Sequence, residues 1–150
     1  MIKIYTTPSC ASCRKAKQWL EDHGIEYEEK NIFAFPLTKE DIRLILKNTE
    51  NGFEDIISTR SKYIQENKID LESLKVSELE KLIIENPSVL RRPIIVADNK
   101  MQIGYNEEEI RVFVPRELRK ALMHLECESC DYKEALKKYY YEQMQKNKTR

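Results

Sequence analysis

The sequence predicts an α/β fold in which a β-α-β unit and a β-β-α unit flank a helical insertion, with a helical extension at the C-terminal end. Three observations predict it. Met1-Ile2-Lys3-Ile4-Tyr5 alternates like a strand, and helical spacing at Ala16, Trp19 and Leu20 follows the loop that contains Cys10 and Cys13. No strand signal interrupts the stretch from Phe33 to about Leu90, whose apolar residues recur at helical spacing. Strand signals then return at Pro93-Ile94-Ile95-Val96 and Met101-Gln102-Ile103.

Each element has a local reason. The first strand covers residues 2–5 and the first helix about 11–23, with Cys13, Ala16, Leu20 and His23 on one side and Trp19 beside them. Gly24 stands where a helix cap is expected. Residues 25–32 alternate as a second strand, and a strand–helix–strand unit of this length implies parallel pairing. Pro36-Leu-Thr38-Lys-Glu-Asp41 reads as a capped helix start, with Ile42, Ile45 and Leu46 as its stripe to about Asn48. Glu50-Asn51-Gly52 is a turn. Ile56, Ile57, Tyr63 and Ile64 belong to short helical pieces. Ser77-Glu-Leu-Glu80 reads as a capping box for a helix carrying Leu79, Leu82 and Ile83 and ending before Pro87. Asp98-Asn99 is a hairpin turn, Gly104 breaks the return strand, and Asn106-Glu-Glu-Glu109 caps a short helix ended by Phe113-Val114-Pro115. This order is that of a thioredoxin-like fold with helices inserted in its middle. In such folds a cis proline before the third strand faces the dithiol loop, and Pro93 stands at that place.

Two cysteines two residues apart between a strand and a helix form a thioredoxin-type dithiol arrangement. Cys10 falls in the loop and Cys13 one turn into the helix. The free N–H groups and positive end of that helix favour a thiolate at Cys10. Arg14, Lys15 and Lys17 add cations that do not help a helix start, which points to an anion held there, either a thiolate or an oxyanion. A buried structural pair or half of a zinc site is the alternative.

The 26 basic and 26 acidic residues balance, which argues against a general nucleic-acid binder. Residues 131–150 carry six bases and three acids, so the rest of the chain is correspondingly acidic. No apolar run approaches the roughly 20 residues of a membrane span. With no leader pattern ahead of the first strand, a cytoplasmic protein with neither membrane partner nor cofactor is expected. In a reducing cytosol, two CxxC pairs are expected to switch, catalyse or bind metal rather than act as permanent staples.

Longer motifs carry a resemblance. Pro8-Ser-Cys10-Ala-Ser-Cys13-Arg14-Lys15-Ala16, Thr49-Glu-Asn-Gly52, Asp55-Ile-Ile-Ser-Thr-Arg60-Ser-Lys62, Leu90-Arg-Arg92-Pro93-Ile94-Ile95 and Gln102-Ile-Gly-Tyr-Asn106 occur in order. Over about residues 1–120 the chain resembles the redox-responsive regulators of the ArsC/Spx family. The resemblance implies a non-enzymatic transcriptional regulator. It would bind the C-terminal domain of the RNA polymerase α subunit, redirect polymerase to thiol-stress genes, and meet promoter DNA only within that complex. It implies a disulfide switch at Cys10 and Cys13, a polymerase contact at Gly52 and a switch-responsive Arg92. Arg60 and Lys62 would serve rearrangement and promoter engagement. The residue types alone also allow a turn glycine at Gly52, a carboxylate-paired Arg92 and a solvated Lys62.

The alternative is a glutaredoxin-linked arsenate reductase using Cys10, with Arg14, Arg60 and Arg92 around an oxyanion. Against it stand Cys13, where such enzymes have a lone nucleophile, Ala97-Asp-Asn-Lys-Met-Gln102, where they carry a further arginine, and Thr6-Thr7-Pro8, where a histidine is usual. A general disulfide oxidoreductase fits the crowded cations poorly. Domain boundaries are expected at 1–120, with the insertion at about 33–90, and at 121–150 for a charged extension. In this family the chain ends soon after the short final helix, often with residues read by a proteolytic adaptor and a Clp-type protease. Here Asn147-Lys-Thr-Arg150 leaves that reading open. The extension adds His124, Cys127 and Cys130, candidates for metal or redox chemistry beside Glu126, Glu128 and Asp131, and a Tyr139-Tyr140-Tyr141 run suited to packing.

Overall fold

The computed structural model describes residues 1–116. The domain boundary near residue 120, the extension at 121–150, the candidates His124, Cys127 and Cys130, and the tyrosine run lie outside the described residues. Strands β1 (Ile2–Thr6), β2 (Tyr27–Asn31), β3 (Ile94–Ala97) and β4 (Lys100–Ile103) form one sheet of order β2-β1-β3-β4. β1 and β2 run parallel, with Ile4 opposite Glu29. β3 is antiparallel to both neighbours, with Ile95 opposite Ile4 on one side and Gln102 on the other. The predicted β-α-β, helical insertion and β-β-α order is the observed one.

Alternation along the strands divides the core. Ile2, Ile4 and Ile95 point to the side where α1 (Ala11–Asp22) supplies Ala16, Trp19 and Leu20 and the C-terminal 3-10 turn supplies Ile110 and Phe113. Tyr5, Ile94 and Val96 point to the other side. There they meet α2 (Lys39–Lys47), α3 (Phe53–Ile56), α4 (Lys62–Glu66) and α5 (Val76–Glu85) through Ile42, Ile45, Ile56, Ile64 and Ile83. α1 ends in a paired-hydrogen-bond cap. Gly24, at φ 61°, donates to Glu21 O at 3.0 Å, and Ile25 donates to Leu20 O at 2.9 Å.

The capped start at residues 36–41 is present. Thr38 Oγ1 accepts the Asp41 N–H at 3.2 Å, and Asp41 returns the bond to the Thr38 N–H at 3.0 Å. The box placed at Ser77-Glu80 is corrected: α5 begins two residues earlier, and Glu78 accepts the Lys75 N–H at 3.0 Å. Val76 can therefore stand at the first helical position while Leu79, Leu82 and Ile83 remain inward. The final short helix is a 3-10 turn, Glu109–Phe113, and Asn106 Oδ1 accepts the N–H groups of Glu108 and Glu109 just before it.

A short segment between α3 and α4 is tied to the entry of β3. Ile57 bridges Leu90, Ser58 donates to Val89 O at 2.8 Å, and Arg91 donates to Ile56 O at 2.8 Å. Asp41 anchors the opposite end of this face. Its carboxylate is buried, pairs with the partly exposed Lys30 ammonium and accepts from Tyr5 Oη at 2.9 Å. Burial alone would raise its pKa, but Lys30, the Thr38 N–H and Tyr5 outweigh that and hold it at about 2. Burial first, then the bond to Asp41, pushes the Tyr5 phenol upward.

A carboxylate whose folded pKa lies below its unfolded value contributes stability above the unfolded pKa and loses it as pH falls through the folded one. Asp41→Asn should therefore lower unfolding free energy at pH 7 by about 1–2 kcal/mol, allowing for solvent screening at Lys30. The gap to wild type should close between about pH 4 and pH 2. Urea titrations across that range test it; a gap that persists unchanged at pH 2 would reject the assignment.

Candidate functional site

The chain turns from β1 into α1 through Ser9, at φ 60°, and Cys10, at φ −95° and ψ 107°. Cys10 is the helix N-cap. A sulfur stands where an oxygen is usual, and Sγ accepts the Cys13 N–H at 3.1 Å. Cys10 and Cys13 are joined as a disulfide, their Cα atoms 5.2 Å apart, a separation that a span of three residues at a helix start supplies. Cys13 is 2% exposed, whereas Cys10 is only partly covered. The first turn of α1 contains no acidic residue.

Lys17 does not belong to this environment. Its ammonium pairs with Glu29 at 3.0 Å, and Glu29 also accepts Thr6 Oγ1 at 2.8 Å. Burial opposes ionisation of Glu29, and the bonds from Thr6 and Lys17 overcome it, lowering its pKa. Of the three cations grouped with the dithiol by sequence, Arg14 and Lys15 remain exposed on the first turns of α1.

Arg92 and Pro93 are joined by a cis peptide bond, as expected before the third strand. Arg92 Nη1 donates to Thr7 Oγ1 at 3.0 Å, across 85 residues of sequence, and its guanidinium lies 5.7 Å from the Phe33 ring centroid. The carboxylate partner allowed for it by sequence is absent: among the described residues Arg92 has no ion pair. The entry to β3 delivers it beside the dithiol loop, where it donates to a hydroxyl.

Cys10, Arg60, Lys62, Arg91 and Arg92 line one cleft of about 640 Å³ together with Ser58, Ser61 and Ser88. No acidic residue lines it. The structure thus brings together Cys10, Arg92, Arg60 and Lys62, with Cys13 beneath. Arg60 precedes α4 in a turn, and Lys62 opens α4 with only a loose 3.7 Å contact to Glu66 on its outer face.

Gly52 stands elsewhere, as the N-cap of α3 at φ 69° and ψ −133°. The Asp55 carboxylate holds the turn before it by accepting the N–H groups of Asn51 and Glu50 at 2.9 and 3.0 Å. These bonds, that to the Asn51 N–H foremost, lower the Asp55 pKa. A Cβ built on Gly52 would meet nothing within 4 Å. The turn-glycine reading therefore holds, and the residue is at the same time open to solvent on its side-chain side.

Sequence reasoning passed over Thr7, Phe33, Arg91 and Ser61. Arg91 was legible as half of the Arg91-Arg92 pair. Thr7, Phe33 and Ser61 had no signal, because their roles exist only across chain contacts.

A four-stranded sheet with a dithiol at the N-cap of α1 and a cis proline opposite defines a thioredoxin-like domain of the redox-active kind. The chain belongs to the ArsC family, whose pattern matches residues 5–113, and to the Spx group within it. It is 54% identical over 119 residues to the global transcriptional regulator Spx of Listeria innocua, covering 79% of this chain and 91% of that protein. It is 57% identical over 120 residues to the regulator of the same name in Streptococcus agalactiae, covering 80% and 88%. Among solved structures, the fold is similar to an arsenate reductase from Vibrio cholerae, at TM-score 0.68 and 19% identity, covering 75% of this chain and 97% of that one. A possible arsenate reductase from Streptococcus mutans is similar at TM-score 0.61 and 28% identity, covering 71% and 92%.

The left-handed backbone at Gly52 penalises any side chain regardless of the open space. Gly52→Ala and Gly52→Arg should both destabilise the protein by about 1–3 kcal/mol, and by similar amounts. Chemical denaturation of the two variants measures this. A far larger loss for arginine would mean that the space is not open.

Proposed function

We propose that the chain is a global transcriptional regulator of the Spx type, governed by dithiol–disulfide exchange at Cys10 and Cys13. The carrying observation is the partly exposed disulfide at the N-cap of α1 in a chain more than half identical to regulators of that name. The disulfide closes a loop of only three residues' separation. By chain-entropy arithmetic it adds at most about 2 kcal/mol to stability, so the domain tolerates both states. Such a bond suits signalling better than stapling.

In the oxidised form Arg92 rests on Thr7 and Phe33. Reduction offers its guanidinium an anionic partner, a thiolate at Cys10 in the same cleft, so the arginine is the element whose contacts change with redox state. Arg60 and Lys62 line that cleft and would change their surroundings with it. The partner is the C-terminal domain of the RNA polymerase α subunit, met at Gly52, where the open side-chain position lets another backbone approach. Promoter DNA is contacted only within that complex, which agrees with the balanced net charge. No helix among the described residues is long and apolar enough to cross a membrane, and a regulator of polymerase acts in the cytoplasm. The regulatory domain is placed at residues 1–120, with residues 121–150 as a charged extension.

The cationic cleft at Cys10 also supports arsenate reduction as a second reading. Turnover of arsenate with glutathione and glutaredoxin above that of a Cys10→Ser variant would favour it. The residue at Cys13 argues against it, because it consumes the nucleophile as a disulfide.

Cys10→Ser and Cys13→Ser should each abolish oxidant-induced transcription of thiol-stress genes while thermal unfolding stays cooperative. In pull-downs with the isolated polymerase domain, Gly52→Arg should lose binding at least tenfold while Gly52→Ala, which shares its backbone strain, retains it. Unchanged induction in both cysteine variants would defeat the switch; equal binding by both glycine variants would defeat the contact.

A further inference from the structure

The cleft holds four cationic side chains and no acid around a sulfur that solvent can reach. Arg60, Arg91 and Arg92 have no ion pair among the described residues, and Lys62 has only its loose outer contact with Glu66. On the far side of β1, by contrast, Lys17 is paired with Glu29 and Lys30 with Asp41. Ser61 Oγ, on the cleft wall, is buried with no hydrogen-bond partner. Unneutralised cations and an unused hydroxyl beside a disulfide describe a site whose complement is a small anion that also reacts with sulfur.

We propose that this cleft selects the reductant of the disulfide, favouring low-molecular-weight thiols that carry an additional acidic group. The inference rests on the redox reading of Cys10 and Cys13 and names the chemical class that resets the pair. Cys13 is buried beneath the helix start, so attack falls on Cys10. The incoming thiolate bonds to Cys10 Sγ, the Cys10–Cys13 bond breaks, and Cys13 leaves as a thiolate that takes a proton from water. A second reductant thiolate attacks the reductant's sulfur in that mixed disulfide, Cys10 leaves as a thiolate, and the two reductant molecules depart joined as a disulfide. Two thiols thus give up two electrons, and the protein becomes the dithiol. The carboxylate, sulfonate or phosphate of the reductant sits among Arg60, Lys62, Arg91 and Arg92 during the first attack. The effect is electrostatic guidance of an anion into a cationic cleft, worth on the order of 10- to 1,000-fold in rate at low salt and lost as salt screens it.

The test uses the oxidised full-length chain and three thiols of similar size: mercaptoethanesulfonate, 2-mercaptoethanol and cysteamine. Rates of disulfide opening are divided by thiolate concentration. The sulfonate should react at least tenfold faster than cysteamine at low ionic strength, with the neutral thiol between them, and the order should flatten at molar salt. Arg60→Gln combined with Lys62→Gln should shrink the ratio severalfold. Equal rates for all three thiols, or an order that salt does not change, would overturn the proposal, and both arms on unaltered protein are independent of whether the variant folds. If the charge order holds but opening the disulfide leaves transcription unchanged, the switch fails and the selectivity stands.

Discussion

The antiparallel pairing of β3 against β1 is the constraint on which the rest of the molecule depends. Ile95 opposite Ile4 fixes the register. With that register set, the residues before β3 lie beside the residues after β1, and Arg92 reaches Thr7 although 85 positions separate them. The same strand divides the core, sending Ile95 toward α1 and Ile94 and Val96 toward the inserted helices. A one-residue slip would exchange these faces and remove Arg92 from the dithiol loop in the same step.

The bridge between Ile57 and Leu90 does for the insertion what β3 does for the sheet. It brings Arg60 and Lys62 alongside Arg91 and Arg92, so two basic segments from distant parts of the chain share one wall. Like charges gathered in this way repel, and among the described residues the only ion pair that relieves them is the loose 3.7 Å contact of Lys62 with Glu66. Asp55 acts on Arg91 only at a distance and is itself occupied by the turn before Gly52. The fold thus retains a local electrostatic cost next to the partly exposed sulfur of Cys10, as functional sites often do.

The two cysteines are chemically alike but structurally unequal. Cys13 is buried, and Cys10 caps the helix and opens on the cleft. That inequality gives exchange a direction of entry and leaves the buried sulfur as the leaving group.

The order of elements, the dithiol at a strand–helix junction and the capping of α2 by Thr38 were legible along the chain, because each is a local pattern of period, spacing or turn chemistry. Sequence reasoning misplaced the start of α5 by two residues, since Glu78 and Glu80 are equally plausible capping partners until Leu79 and Ile83 fix which side faces inward. It also grouped Lys17 with the dithiol, because helical neighbourhood is visible in sequence while the pull of Glu29 from β2 is not. That Arg92 rests on Thr7 and Phe33, and that Arg60, Lys62 and Arg91 join it around Cys10, emerges from the folded chain alone. Those contacts depend on strand register and on one long-range bridge, quantities that no window of neighbouring residues contains.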